Sequence, residues 1–311
     1  MRAWRLTATG HPLDHVELPD PTAGPGEVVL RTMAAGLCQT DLSLARGSLA
    51  GAAVPIVLGH EIAGVVTQTG AGVEEFAVGD RVAVRTGMDA PGIVSDGGFA
   101  TLVRTPAQRL VAIPDRVSFA QAAVATDAGL SSYHALYAQG GLRPGMKVGI
   151  VGIGGLGSFG VQIAAAAGAE VTAVVRRPAL AQTARQLGAT TVVRSAADLA
   201  GLDLDLVVDF AGYSETVVGA LDGIRHGGRV VVVGVEDAVA HIPIGKLVLT
   251  NAEIVGANAG TSDELRHVLA MIAEGTLTPT ITPIGFDEIP DGLDRLARGG
   301  IVGRLVADMT G

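Results

Sequence analysis

Cysteine is almost absent from this chain, since Cys38 is the only one among its 311 residues. A single cysteine cannot form an internal disulfide, which fits a reducing compartment. It also excludes a metal site built from several cysteines of one chain. The first question is therefore what this isolated thiol does within the segment AAGLCQTDLSL.

Long apolar runs and clusters of basic charge are missing as well. Hydrophobic residues make up 48% of the sequence, yet no run reaches the roughly 18 residues that a membrane helix needs. The segment MRAWRLTATGH lacks the apolar stretch of a secretory signal. The net charge is -9, with Lys and Arg scattered, which argues against nucleic-acid or anionic membrane partners. We therefore expect a cytoplasmic protein that acts on small molecules and binds neither nucleic acid nor membranes.

The apolar pattern changes along the chain. Up to about residue 119, short β runs such as EVVLRTMAA and IAGVVTQTG alternate with turns, which is typical of a β-rich, barrel-like domain. From about residue 145, six Val/Ile-rich runs alternate with helical segments: KVGIVGI, EVTAVV, ATTVV, LDLVVDF, RVVVVGV and EIVGAN. This second pattern predicts a doubly wound parallel sheet.

The end of the chain returns to the first domain. The helix TSDELRHVLAMIAEG and the strand IVGRLVADM follow the sixth β run. The predicted division is a β-rich domain of residues 1–128 and 258–311, with residues 129–257 inserted into it. Residues 87–97, GMDAPGIVSDG, are predicted to form a mobile surface loop.

A glycine-rich turn follows the first strand of the inserted domain. In GIVGIGGLGSFG, three glycines form a GxGxxG frame, Gly152, Gly154 and Gly157, and Gly155 is a fourth. Such glycines permit a tight turn and a close approach of the backbone to a pyrophosphate, which the next helix N-terminus attracts. Because the turn follows a strand and opens a helix, we predict dinucleotide binding rather than glycines that serve packing alone.

The end of the second strand indicates which dinucleotide binds. An acidic residue there would hydrogen-bond the adenosine ribose, but the sequence VTAVVRRP has Val175 followed by Arg176 and Arg177. Arginine binds phosphate groups bidentately. We therefore predict NADP(H), the alternative being a solvated arginine pair at a strand end.

The surroundings of Cys38 favour a role as a metal ligand over a role as a catalytic nucleophile. A nucleophilic cysteine needs a basic partner, and Gln39, Thr40 and Asp41 supply none. Zinc accepts Cys sulfur, His nitrogen and carboxylate oxygen together, and His60 in VLGHEIAGVV could supply the nitrogen. The alternative is that Cys38 is a small buried hydrophobic residue.

Six segments in order resemble the zinc-dependent alcohol dehydrogenase branch of the medium-chain dehydrogenases: GLCQTDL, GHEIAGVV, VGDRV, GGFATLV, TDAGLSSYHAL and GIGGLG. The resemblance runs from about Ala3 to Asp308. It implies an α/β protein with a GroES-like β-rich catalytic domain and an inserted six-stranded Rossmann domain. It also implies Cys38, His60 and Asp127 as zinc ligands. The TDxxxxxxH junction is most similar to that of the NADP-linked secondary alcohol dehydrogenases.

The resemblance implies roles for the residues around the metal as well. Thr40 takes the proton of the alcohol, Asp41 orients the His60 ring, and Ser131 lies near the nicotinamide. Glu61 is a carboxylate able to exchange onto the metal, or else a structural salt-bridge partner. The implied reaction is hydride transfer between NADP(H) and an alcohol or the corresponding ketone or aldehyde.

The sequence departs from the family pattern at two places. No cysteine follows GDRVAVRTG, where many members carry a four-cysteine lobe that binds a structural zinc. We therefore expect one catalytic zinc and no structural one. Ser43 stands where many members have the histidine that ends the proton relay, so water is expected to carry the proton out.

The resemblance also implies a homodimer or homotetramer. The strand EIVGAN supports the same expectation, because it would otherwise leave an apolar sheet edge open to solvent. Two rival functions remain at this stage. The first is a zinc-free NADPH-dependent quinone or enoyl reductase of the same superfamily. The second is a non-catalytic nucleotide-binding redox sensor that uses Cys38.

Overall fold

The computed structural model describes residues 1–49 and 53–310. The chain divides into two compact units. Unit 1 comprises Met1–Leu130 and Ala259–Gly311, and unit 2 comprises Ser131–Asn258. The boundaries expected from the sequence were after residues 128 and 257.

The strands and helices are numbered in chain order. The strands of unit 1 are β1 (Arg2–Leu6), β2 (Asp14–Glu17), β3 (Glu27–Leu37), β4 (Ile56–Val57), β5 (Glu61–Thr69), β6 (Arg81–Val84), β7 (Leu102–Pro106), β8 (Leu110–Ala112), β15 (Ile281–Gly285) and β16 (Arg304–Asp308). The strands of unit 2 are β9 (Lys147–Val151), β10 (Glu170–Val174), β11 (Thr191–Val193), β12 (Leu204–Asp209), β13 (Ile224–Val232) and β14 (Glu253–Gly256).

The α-helices are α1 (Gln39–Arg46), α2 (Phe119–Val124), α3 (Leu130–His134), α4 (Gly155–Ala166), α5 (Ala181–Gln186), α6 (Ser214–Gly223), α7 (Ile244–Thr250), α8 (Ser262–Ala273) and α9 (Ile289–Arg298). Two π-helical turns, Ala125–Gly129 and Ala135–Gln139, flank α3. Short 3₁₀ turns occupy Ala107–Arg109, Pro178–Leu180, Ala196–Leu199 and Phe286–Glu288. None of the described helices is both long and apolar enough to cross a membrane.

Unit 1 is built on a sheet in which the described strands follow the order β15-β16-β3-β5-β6-β8, with β7 also paired to β3. Strand β3 runs antiparallel to both β5 and β16, so that Gly36 lies opposite Glu61 and Leu37 lies opposite Leu305. The C-terminal end of β3 therefore meets the starts of β5 and β16. This pairing brings Cys38, Glu61 and Arg304 to one end of the sheet.

Unit 2, all of which the structure describes, contains a parallel sheet of six strands in the order β11-β10-β9-β12-β13-β14. Its core is rich in Val, Leu and Ile, as a sheet covered on both faces requires. The strand order reverses beside β9, and in doubly wound sheets ligands bind outside the strand ends at this point. The structure confirms the predicted fold class and all six predicted strands.

Residues 87–97 form a loop, as predicted, but only part of it lies at the surface. Met88, Asp89, Val94 and Ser95 are exposed, whereas Ala90–Ile93 and Gly97 are buried. The middle of the loop therefore packs into unit 1. The composition could not show this packing, because it depends on which backbone lies underneath.

Candidate active site

Four potential metal ligands converge in unit 1. One ligand atom from each of Cys38, His60, Glu61 and Asp127 lies within 4.8 Å of the others. Cys38, His60 and Glu61 are buried, and the Asp127 side chain is 14% exposed. The structure thus brings together the three predicted zinc ligands and the carboxylate predicted to exchange with them.

Cys38 lies in the one-residue link between β3 and α1. Its backbone N–H donates to Asp41 Oδ2 over 2.8 Å, which satisfies one of the unpaired amides at the start of the helix. The Thr40 hydroxyl oxygen, in the first turn of α1, lies 3.7 Å from Cys38 Sγ. The start of α1 therefore places Thr40 and Asp41 beside the thiol.

Asp41 also fixes the orientation of His60. Its Oδ1 lies 3.1 Å from His60 Nδ1 and accepts a 3.2 Å hydrogen bond from the Gly59 amide. A fully buried carboxylate at this distance holds a proton on Nδ1, so that Nε2 is the nitrogen available to a metal. Nε2 lies 3.7 Å from Asp127 Oδ2, so the imidazole directs this nitrogen into the cluster.

Asp127 reaches the cluster from the π-helical turn Ala125–Gly129. Single π-helical turns inside helices occur frequently at functional sites, because the extra residue redirects side chains. Asp127 Oδ2 lies 3.3 Å from Cys38 Sγ. Nothing in the sequence indicated this π turn.

The spacing of these atoms suits zinc. Ligands at bond lengths of about 2.0 to 2.3 Å around a tetrahedral ion lie about 3.3 to 3.6 Å apart. The Cys38–Asp127 and His60–Asp127 separations are 3.3 and 3.7 Å. Sulfur, nitrogen and carboxylate oxygen form a donor set that zinc prefers, and three protein ligands leave a fourth position for substrate.

Sequence reasoning missed Arg304, which is the cation of the cluster. Arg304 is the first residue of β16, and its side chain is 8% exposed. Its Nε donates a hydrogen bond to Glu61 Oε1 over 2.9 Å. Its Nη2 lies 2.9 Å from Asp127 Oδ2 and 3.3 Å from Cys38 Sγ. The one signal in the sequence is a charged residue at the start of the apolar strand RLVAD. The pair with Glu61 matches the salt-bridge alternative for that glutamate, while its exchange onto a metal stays a proposal.

Burial and neighbouring charge shift the pKa values of the cluster. Burial works to lower the pKa of His60, but the carboxylates of Asp41 and Asp127 raise it well above 6.5. Burial raises the pKa of Glu61 to about 8, against the opposing charge of Arg304. Burial also works to raise the pKa of Asp127, yet His60 and Arg304 hold it well below its ordinary value. Acidic groups outnumber basic ones here, which suits a divalent cation.

The glycine turn in unit 2 has the geometry of a phosphate-binding turn. Gly152 follows β9 with φ +86, a conformation that favours glycine. A Cβ on Gly157 would come within 2.0 Å of the Gly152 carbonyl oxygen, so the first turn of α4 packs directly on the strand end. Gly154 precedes α4, and Gly155 is its first residue. Backbone N–H groups at such a helix N-terminus attract anions.

The other predicted cofactor residues also lie in unit 2. Arg176 is exposed and its guanidinium lies 6.0 Å from the ring centre of Tyr213, which follows β12. Arg177 is half-buried, and Val175, at the position where an acidic residue would select NAD, is 4% exposed. Ser131 is buried at the start of the unit. Sequence reasoning did not single out Tyr213.

Comparisons with known proteins agree with this architecture. Residues 24–115 match the family model of the alcohol dehydrogenase GroES-like domain, and residues 155–274 match that of zinc-binding dehydrogenases. An alcohol dehydrogenase of Geobacillus stearothermophilus is 35% identical over 325 residues, covering 95% of this chain and 96% of that protein.

Solved structures of similar proteins include two alcohol- or ketone-converting enzymes. Acetophenone reductase from Geotrichum candidum, in complex with NAD, is 30% identical with a TM-score of 0.91, covering 99% of this chain and 96% of that one. A cobalt- and zinc-bound alcohol dehydrogenase from Pyrobaculum aerophilum is 28% identical with a TM-score of 0.89, covering 99% of each chain. The chain therefore belongs to the medium-chain dehydrogenase/reductase family, with the GroES-like and zinc-binding dehydrogenase domains of its alcohol dehydrogenases.

Proposed function

We propose that this protein is a zinc-dependent, NADP(H)-linked alcohol dehydrogenase or carbonyl reductase that interconverts small alcohols with ketones or aldehydes. One observation carries the proposal: Cys38, His60 and Asp127 present sulfur, nitrogen and oxygen in one cluster, and the Cys38–Asp127 and His60–Asp127 separations of 3.3 and 3.7 Å suit a tetrahedral zinc. The oxidoreductase class follows from the family, and alcohol or carbonyl substrates are what the named relatives act on.

When bound, zinc would supply Lewis-acid polarisation of the substrate oxygen, and the nicotinamide would accept or donate the hydride. The residues of this chain would bind the metal and orient the groups around it. Asp41 keeps the His60 proton on Nδ1, so that Nε2 stays available as a ligand. Thr40, at the start of α1 beside Cys38, is the proposed acceptor of the alcohol proton. Glu61 is the carboxylate proposed to exchange onto the metal from its ion pair with Arg304.

The proposed preference for NADP(H) rests on unit 2. Arg176 and Arg177 follow the second strand of the sheet, and Val175 carries no charge that would repel a 2′-phosphate. Arg176 is exposed and lies over Tyr213, which keeps its charge near the end of strand β12. Guanidinium groups bind phosphate bidentately, so either arginine could recognise the extra phosphate.

We also propose that the protein is a homo-oligomer. Strand β14 has a single neighbour in the described sheet, β13, so its other edge is open. Helix α7 precedes β14 in sequence, and none of its residues is buried. Its apolar residues Ile244, Val248 and Leu249 are 66%, 64% and 80% exposed. Contiguous apolar exposure of this kind marks interaction surfaces.

The function is tested by following NADPH oxidation at one wavelength with a panel of simple ketones. The assay is repeated after zinc removal by a chelator and again after zinc is restored. The proposal predicts turnover that is lost on chelation and recovered with zinc. A zinc-free quinone or enoyl reductase would instead reduce activated double bonds with no response to the chelator. A redox sensor would bind NADPH and turn over neither class of substrate.

A further inference from the structure

The 87–98 loop lies directly against the backbone that carries His60. A Cβ built on Gly92 would stand 2.4 Å from the Gly59 carbonyl oxygen and 2.8 Å from the His60 nitrogen. These are backbone atoms, which cannot rotate away as a side chain can. Gly92 therefore contacts the peptide that joins Gly59 to His60, with no room for a side chain between them.

Neighbouring residues of the loop hold this peptide, and Val57 shortly before it, by hydrogen bonds. The Gly98 amide donates to the Gly59 carbonyl over 2.6 Å, and the Gly97 amide donates to the Val57 carbonyl over 2.9 Å. Asp96 Oδ1 accepts from the Val57 amide over 2.8 Å. The loop thus fixes the segment that leads into His60 from one side, while Asp41 fixes the Gly59 amide and the His60 ring from the other.

We infer that the 87–98 loop is a positioning element for the metal ligand His60, and that Gly92 is the positioning residue on which its close approach depends. This inference rests on the proposed function, since it assigns the loop to the zinc site. The loop contributes no ligand of its own. It acts by restricting where His60 Nε2 can lie relative to Cys38 and Asp127, and changes to such supporting groups typically lower metal affinity 10- to 100-fold.

The first test compares Gly92→Ala with Gly72→Ala. Both glycines belong to unit 1 and have nearly the same backbone angle, φ +82 and φ +80, so alanine meets similar conformational strain in both. A Cβ on Gly72 meets no atom within 4 Å, whereas one on Gly92 collides with the His60 peptide. The measured quantity is the affinity for Zn²⁺ alone, by competition with a chromophoric chelator, together with the thermal unfolding midpoint of the chelated protein.

The second test serves if Gly92→Ala does not fold. Asp96→Ala removes the acceptor of the Val57 amide, and Asp80→Ala removes an equivalent 2.8 Å bond to the Ala77 amide, away from the cluster. Each change deletes one carboxylate-to-backbone hydrogen bond in unit 1. Asp96→Ala is expected to weaken zinc binding severalfold relative to Asp80→Ala.

The inference predicts that Gly92→Ala binds zinc at least about 10-fold more weakly than Gly72→Ala, and that the Asp96 and Asp80 variants differ in the same direction. If the unmodified protein binds zinc and both loop variants stay within twofold of their controls, the loop is purely structural and the inference fails alone. If the unmodified protein binds no zinc, the proposed function and the inference fail together.

Discussion

Arg304 and Glu61 form a buried ion pair that links the start of β16, the last strand of unit 1, to the start of β5, directly after His60. Both side chains are at most 8% exposed, and the guanidinium Nε lies 2.9 Å from Glu61 Oε1 and 3.2 Å from Oε2. The same guanidinium reaches Asp127 and Cys38. Because Glu61, Asp127 and Cys38 share this cation, removing it affects more than one bond.

Replacing Arg304 with Met is expected to destabilise the protein by about 3 to 5 kcal/mol, because it leaves the buried carboxylate of Glu61 without its arginine partner. The measurement is the free energy of unfolding in urea after zinc removal. Arg104→Met is the matched control, since Arg104 pairs with Glu27 on the surface of the same unit and its side chain is 54% exposed. The control should cost about 0 to 1 kcal/mol, and equal losses in the two variants would contradict the assigned role.

Replacing both Arg176 and Arg177 with Ala is expected to raise the KM for NADPH much more than the KM for NADH. The reason is that each charge-assisted hydrogen bond to the 2′-phosphate contributes about 1.5 to 3 kcal/mol. Steady-state kinetics with both cofactors measures the effect. Arg185→Ala removes one exposed charge from α5 of the same unit and should change neither constant. Equal rises for NADPH and NADH in the double variant would refute the preference.

Replacing Leu249 with Glu is expected to weaken self-association, because a charge would then enter the proposed subunit contact. Leu249 is 80% exposed in the described chain. The control is Val78→Glu, which introduces the same charge at an apolar residue of unit 1 that is 66% exposed. Light scattering at micromolar concentration gives the mass of each variant. A monomeric unmodified protein, or a Leu249→Glu oligomer as stable as the control, would rule out this contact.

Replacing Asp205 with Asn is expected to cost about 1 kcal/mol at pH 7. Burial opposes ionisation of Asp205, but its bonds to Arg225 and to the Lys147 amide hold its pKa below the ordinary value. A depressed pKa adds stability above the pKa of the unfolded chain, about 3.9, and this stability is lost as the pH falls through the folded value. Urea unfolding at several pH values should show the difference between the two proteins shrinking in acid; a constant difference would be inconsistent with a charge effect.

Much of the fold could be predicted because local patterns determine it. The six Val/Ile-rich runs became β9 to β14, since a strand covered on both faces must be apolar throughout. The glycines around Gly152 indicated a turn because few other residues adopt φ +86. The convergence of Cys38 and His60 in one cluster could be anticipated from residue type together with the family resemblance.

The parts that sequence reasoning missed depend on contacts between distant segments. Arg304 meets Glu61 across 243 positions, and no local pattern reports such a pair. The composition of residues 87–97 predicted a mobile surface loop, but it could not indicate that Gly92 packs on the Gly59–His60 peptide. The π turn at Asp127 likewise depends on how the helix is held by its neighbours.

The zinc content of the Asp127→Asn, Glu61→Gln double variant, measured by mass spectrometry on freshly purified protein, tests the central claim most directly. Glu61→Gln is included because Glu61 could otherwise replace the lost carboxylate, and Asp80→Asn, an exposed change in the same unit, is the control. The account predicts one zinc per chain in the unmodified and control proteins and a large loss in the double variant. Full zinc content and undiminished ketone reduction in the double variant would contradict a zinc site formed by Cys38, His60 and Asp127.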